Sequence, residues 1–298
     1  MATFGVVTRN EEEVEWPEFD AAFYEVKDVS GRASEPLAGA VNMVSCFGDN
    51  AAAAENPDLV PVNPEGQPAT RDRPYFDWAY VDPTHDRYRE GLLETVEDCA
   101  AVNGDVRLDD VGFPREEYCY CDRCNERFEE WAEARHGEGG PRPEETGFPD
   151  RLAWRAEVVT DFVREATDRI PGRTYFTLYP DPYGDHLYRR AGLDLEALAP
   201  MVDEFVVPLY DTHYGTTYWL ETIASGFRDR LEELGVDMAV ELYAVNVDVD
   251  DLIHAAEVAE AYADEVLFGY DASNARAALR RRDAESREGV SHGSDGSS

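Results

Sequence analysis

The residues best equipped for chemistry in this chain fall between positions 105 and 136, DVRLDDVGFPREEYCYCDRCNERFEEWAEARH. Asp109 and Asp110 form a carboxylate pair, and Cys119, Cys121 and Cys124 follow as C-x-C-x-x-C. Three thiolates at that spacing can share one tetrahedral zinc ion, with a fourth ligand from elsewhere. Of the two remaining cysteines, Cys99 sits among Val96, Ala100 and Ala101 in a helical pattern and reads as a core thiol. Cys46 ends an apolar strand and is the better fourth ligand. A site of four thiolates is closed to water, so its work would be structural. A redox or free-thiol cluster is the competing reading. Carboxylates facing one pocket do different work: one protonates a leaving oxygen while the other attacks or activates water, as glycosidic bond cleavage requires.

Those groups need regular elements to position them. Val106 and Leu108 predict a short buried strand, stopped by Gly112-Phe113-Pro114, and Phe128, Trp131 and Ala132 predict a helix after the thiols. Apolar runs predict seven further strands, at 4–8, 22–26, 40–46, 174–179, 204–210, 237–242 and 265–270. Helical spacing appears at 86–102, 150–169, 193–201, 217–234, 250–263 and 273–282. Strands alternating with helices imply a parallel sheet with right-handed crossovers. The expected fold is therefore α/β, a single-domain (β/α)8 TIM barrel over residues 1–282. Its first βα units are irregular, because residues 10–20 and 28–38 are acidic or rich in turn formers. Residues 47–85 form a long excursion whose Tyr75, Phe76, Trp78 and Tyr80 argue for an ordered binding loop. Residues 283–298, acidic and then rich in Gly and Ser, read as a disordered tail. A doubly wound sheet is the weaker alternative, since no G-x-G-x-x-G follows the first strand.

A barrel builds its active site at the C-terminal ends of its strands. Those ends carry Asp109 and Asp110, Tyr179 and Asp181, Tyr210 and Asp211, Glu241 and Tyr243, and Tyr270 and Asp271. Alternation turns Arg107 and Asp109 inward and Leu108 toward the helices. The same rule points Glu241 inward from an otherwise apolar strand, where a carboxylate is costly unless paired or employed. Asp109 and Glu241 are the expected catalytic residues. Arg107, Asp110, Asp211 and the rim aromatics, with Trp78 from the excursion, would position a sugar. Asp181, Asp211 and Asp271 fit equally well as caps and solvent-facing ends in so acidic a chain.

The 64 acids outnumber the 27 bases, for a formal net charge of −37, and they are spread along the whole sequence. Lys27 is the one lysine. This pattern predicts a halophilic surface in a high-salt cytoplasm, where screening removes most self-repulsion. It excludes nucleic acid and anionic membranes as charge-driven partners, because both need a basic footprint. No segment approaches 18 apolar residues, and the N-terminus lacks a secretory pattern, so a cytoplasmic protein is expected. Five cysteines, three of them crowded, fit a reducing compartment. No P-loop, H-E-x-x-H or G-x-S-x-G motif is present.

Residues 81–114, VDPTHDRYREGLLETVEDCAAVNGDVRLDDVGFP, resemble the region around strand four of glycoside hydrolase-like (β/α)8 proteins. CYCDRCNERFEEWAEARHG, residues 119–137, is similar to the zinc-binding stretch of family 42 β-galactosidases, where a cysteine near the end of strand three completes the site. The resemblance implies a structural Zn2+ on Cys46, Cys119, Cys121 and Cys124, and it puts Glu241 where such enzymes keep their nucleophile. Family 42 carries Asn-Glu where this chain has Asp109-Asp110. Arg107-x-Asp109 is also similar to α-glycosidases in which that aspartate is the nucleophile, with Asp211 or Glu241 then the acid. The acid and nucleophile roles stay open on this comparison. The expected function is hydrolysis of a small saccharide by two carboxylates. The alternative is a catalytically silent carbohydrate-binding or scaffold barrel, which fold alone does not separate from an enzyme.

Overall fold

Short runs of β-branched and aromatic residues become eight strands: β1 (Thr3–Thr8), β2 (Ala21–Lys27), β3 (Val41–Ser45), β4 (Val106–Asp109), β5 (Thr174–Thr177), β6 (Glu204–Leu209), β7 (Asp237–Tyr243) and β8 (Glu265–Gly269). In this computed structural model, which describes residues 2–137 and 148–292, the strands close in chain order into a parallel barrel. Each strand pairs with its sequence neighbours and β1 returns to β8, so the sheet has no open edge. The (β/α)8 expectation is met. Among the described residues the helices are α1 (Asn50–Glu55), α2 (Asp86–Val102), α3 (Asp122–His136), α4 (Phe148–Thr167), α5 (His186–Ala191), α6 (Leu195–Leu198), α7 (Tyr218–Leu234), α8 (Val249–Ala259) and α9 (Ala272–His292).

Alternation along each strand divides the core into two. Val44, Val106, Leu108, Phe176 and Phe205 face outward and are covered by the helices. Phe176 and Phe205 meet edge to face with centroids 5.8 Å apart, and each buried phenyl contributes about 1.5–3 kcal/mol of transfer free energy. Inside the barrel, Val7, Phe23, Met43, Val206, Ala239 and Leu267 fill the axis. Gly5 makes room there, since a Cβ at that position would sit 2.6 Å from Leu267 Cδ2.

The N-terminal end of the barrel carries a carboxylate pair. Glu204 and Glu265 are both buried, and Arg173 lies 3.1 Å from Glu204 and 2.9 Å from Asp237. Burial, with Glu265 adding to it, pushes Glu204 up to about 8; burial pushes Glu265 up to about 7.

The first units are irregular for the reason read in their sequences. A single 3-10 turn, Glu11–Glu13, joins β1 to β2, and no helix joins β2 to β3. Asp28 organises that second connection: its Oδ1 accepts from Ser30 N at 2.9 Å and Arg32 N at 3.3 Å. The excursion from β3 to α2 is ordered around its own small core of Val60, Ala69, Phe76, Tyr80 and Tyr118.

One boundary moves. α9 continues through residue 282 to His292, so the stretch expected to be disordered from 283 starts as helix; residues 293–298 lie outside the described residues. The helix reaches the extension through ion pairs of Arg281 with Asp250 of α8 and of Arg282 with Glu260 just after it. Among the described residues, no helix is long and apolar enough to cross a membrane.

Candidate active site and metal centre

The ends of β4 to β8 and the aromatic excursion enclose a cavity of about 670 Å³ at the C-terminal mouth of the barrel. Trp78, Asp109, Asp110, Tyr179, Tyr210, Tyr243 and Tyr270 all line it. The three tyrosines of β6, β7 and β8 form one cluster, with ring centroids 5.6 Å (Tyr210 to Tyr243), 6.5 Å (Tyr210 to Tyr270) and 6.4 Å (Tyr243 to Tyr270) apart. Such a wall offers flat faces to the apolar side of a sugar ring. Asp110 and Tyr270, at φ 50° and 71°, hold left-handed backbone conformations that side-chain-bearing residues rarely adopt. Two such residues on one cavity wall mark it as a place where geometry is enforced.

Arg107 and Glu241 lie beneath the cavity rather than in it. Both are fully buried, and Arg107 Nη2 sits 2.5 Å from Glu241 Oε2 and 3.9 Å from Asp109 Oδ2. Tyr210 donates its hydroxyl to Glu241 Oε1 at 2.6 Å, and Arg107 Nε donates to Thr177 Oγ1 at 2.9 Å. Glu241 therefore spends its two oxygens on an arginine and a tyrosine. Asp109 and Glu241 share a guanidinium nitrogen, which holds them well inside the ~10 Å span of a hydrolytic pair. Yet only Asp109 lines the cavity. The expectation that Glu241 meets substrate directly is corrected on this point: a carboxylate inside the barrel must be neutralised, and Arg107 does it.

Asp110 has a different environment. Ser45 Oγ lies 2.6 Å from Asp110 Oδ2 and 3.1 Å from the Gly48 carbonyl. The single hydroxyl hydrogen serves the shorter contact, so Ser45 donates to Asp110 Oδ2. Burial, reinforced by the neighbouring Asp109 charge, raises Asp110 to about 8, outweighing the Ser45 hydrogen bond and the Lys27 charge, which pull it down. Lys27 is committed nearby, donating to the Ser45 carbonyl at 2.8 Å and pairing with Asp49 at 3.1 Å.

The remaining predicted acids stand elsewhere. Asp211 Oδ1 accepts from the backbone of Thr212 and His213, and Asp271 Oδ1 accepts from Asn274 N at 3.0 Å as it begins α9. These two are caps. Asp181 pairs with His186 at 2.6 Å and belongs to an adjoining cavity. Glu25 and Arg9, ion-paired to each other, line the main cavity and were not foreseen. Glu25 carries the signal that singled out Glu241, an acid in an apolar strand, and burial raises it despite the Arg9 pairing.

The thiols gather as expected, but with a different fourth partner. Cys119, Cys121, Cys124 and Asp82 offer ligand atoms all within 4.8 Å of one another. Cys119 and Cys121 sulfurs are 3.2 Å apart, and Cys124 Sγ is 3.4 Å from both Asp82 oxygens. Ligands at zinc bond lengths of ~2.0–2.3 Å stand roughly 3.3–3.8 Å apart in a tetrahedron, so this donor set fits the ion. Cys46 is not in the cluster: it is fully buried in the outer core, its Sγ 3.5 Å from the Val44 carbonyl. Cys99 is likewise a core thiol. Nothing in the sequence marks Asp82 as a ligand: it precedes α2 and accepts from Thr84 N at 2.9 Å. Arg151 braces the loop, donating to the Cys119 carbonyl at 2.8 Å and lying over the Tyr120 and Phe128 rings.

No protein-family description matches the chain, and no curated protein sequence does. Solved structures do. The glycoside hydrolase domain of PgaB (BpsB) from Bordetella bronchiseptica superposes with a TM-score of 0.64, covering 94% of this chain and 99% of that domain at 12% identity. α-L-Fucosidase isoenzyme 2 from Paenibacillus thiaminolyticus superposes with a TM-score of 0.66, covering 97% of this chain at 12% identity. The present chain spans 50% of the fucosidase's length. At this identity the likeness is one of fold: the neighbours are glycoside hydrolases built on the same barrel, and neither is a family 42 β-galactosidase.

Proposed function

We propose that this chain hydrolyses a glycosidic bond of a saccharide held in the cavity at the C-terminal end of the barrel. The observation that carries this reading is a pair of carboxyls of unlike environment on one aromatic-lined wall. Burial and the neighbouring Asp109 charge raise Asp110 to about 8 while it accepts from Ser45, and Asp109 stands above the Arg107 guanidinium. A carboxyl of raised pKa supplies the acid, and the second carboxyl beside it the base or nucleophile, that glycoside cleavage needs.

In this reading Asp110 passes its proton to the leaving oxygen as the bond from that oxygen to the anomeric carbon breaks. Asp109 meets the developing positive charge at that carbon, by direct attack or by activating a water. Arg107 fixes Asp109 from below. Glu241 acts at one remove, neutralising Arg107 and orienting the Tyr210 ring through its hydroxyl. Trp78, Tyr179, Tyr243 and Tyr270 stack on the sugar and exclude water.

Zinc held by Asp82, Cys119, Cys121 and Cys124 would do structural work, clamping the loop after β4 to the segment before α2. The C-x-C-x-x-C motif remains the point of likeness to family 42, with Asp82 standing in for a fourth cysteine. The acid-rich surface supports a high-salt cytoplasm as the working medium.

The test is a panel of chromogenic glycosides at high salt, comparing wild type with Asp109→Asn and Asp110→Asn. Turnover in wild type that is lost in both variants, with sugar binding kept, is the expected result. Identical traces for all three proteins would overturn hydrolysis in favour of a barrel that only binds carbohydrate.

A further inference from the structure

Resting on that reading, we propose that the substrate is an extended, neutral glycan chain and not a small saccharide. A cavity of about 670 Å³ is already the size of a complete small-ligand site. A second cavity of about 430 Å³ opens beside it and shares Arg190 with it. The two also meet where Pro180 of the first is followed by Asp181 of the second, and where Arg115 of the second lies 4.7 Å over the Tyr75 ring of the first. Together they form one cleft running from the tyrosine cluster across the β5 end to α5.

The second cavity is a built surface. Arg155, fully buried on α4, donates to the carbonyls of Arg115 at 2.8 Å, Glu116 at 3.2 Å, Arg189 at 2.9 Å and Arg190 at 2.7 Å. One guanidinium thus ties both walls of the cavity together by their backbones. Burying an arginine is costly, and here it fixes the width of a groove whose lining side chains reach solvent. Preorganisation of this kind reduces the ordering cost of binding.

The lining specifies what would lie there. Arg189 grips Glu116 at 2.9 and 3.0 Å, Arg115 pairs with Glu117 at 3.2 Å, and His186 Nδ1 is 2.6 Å from Asp181 Oδ2. Three arginines and three carboxylates line it, so the surface offers many donors and acceptors with little net field. Sugar hydroxyls, each donor and acceptor at once, match such a surface; an anionic or cationic ligand would find half of it repulsive. The aromatic cavity holds the bond to be cleaved, and the paired charges hold further units of the same chain.

The experiment measures kcat/KM along ladders of neutral oligosaccharides, from disaccharides upward, prepared from glucan, galactan and xylan. It is repeated on a protein carrying both Arg115→Ala and His186→Ala, whose side chains are 42% and 62% exposed and so dispensable for folding. In parallel, calorimetry follows binding of the same ladders to Asp109→Asn. Wild type should gain about tenfold in kcat/KM from short to long members, equivalent to ~1.4 kcal/mol of added binding, and the double variant should lose that length preference. A flat ladder in wild type, or a preference untouched by the double variant, overturns the proposal while leaving hydrolysis standing. Length-dependent binding without turnover on any ladder keeps the cleft and overturns hydrolysis instead.

Discussion

Arg107 Nη2 and Glu241 Oε2 meet at 2.5 Å in the barrel interior, and neither side chain reaches solvent. Each group is affordable there only because of the other. Arg107→Met should therefore destabilise the fold by about 3–5 kcal/mol, since it leaves a buried carboxylate unpaired. Arg107→Met combined with Glu241→Met should recover most of that loss. Urea unfolding of the two proteins checks this, and a double variant no better than the single one would refute the pairing argument.

Asp110 is the proton holder of the proposed reaction. Asp110→Asn should lower kcat by roughly 10²- to 10⁴-fold, the usual worth of a positioned general acid. The wild-type rate should fall on the alkaline side as pH rises through the raised Asp110 pKa, because the protonated form is the active one. Ser45→Ala removes a hydroxyl that donates to Asp110 and holds its pKa down, and should move that alkaline limb to higher pH. A pH profile that Ser45→Ala leaves unmoved would argue against the assignment.

The thiol cluster makes a prediction about stoichiometry. Purified protein should carry about one zinc per chain, by the ligand set that fits a single tetrahedral ion. Cys121→Ser and Asp82→Ala should lower that content, and Cys46→Ala should not. Elemental analysis of the three variants decides it, and metal lost on Cys46→Ala would return Cys46 to the site. Chelation should lower the thermal midpoint of wild type without abolishing the barrel.

Glu204 and Glu265 predict how stability depends on pH. Their folded-state values, about 8 and about 7, lie above the ordinary 4.5, so an unfolded chain releases these protons first as pH rises. Stability from this pair is present below pH ~4.5 and is lost as pH climbs through the folded values. Glu204→Gln should flatten the decline between those limits in thermal melts at fixed salt. An unchanged slope would remove the pair as its source.

Much of the barrel was legible in the sequence because a strand buried on both faces writes itself as a short apolar run, and each such run is followed by turns, helical spacing or acidic loops that keep strands apart. Arg107 and Glu241 were legible as inward-facing for the same reason: each interrupts apolar neighbours at the alternate position. Asp211 and Asp271 could not be told from site residues, because a helix or turn cap and a catalytic acid share the same letter at the same strand end. The extension of α9 beyond residue 282 has a charged, Ser- and Gly-containing sequence, DAESREGVSH, with no apolar periodicity to mark a helix.

The sequence by itself determined the barrel, the inward set of residues and the crowding of three cysteines, since periodicity and spacing are local properties of the chain. Only the tertiary structure decided which groups share a site. Asp82 and not Cys46 completes the thiol cluster, and Glu241 is sealed under Tyr210 while Asp110 faces the cavity. Those choices depend on distances of a few ångströms between strands and loops far apart in sequence, and no one-dimensional pattern carries them.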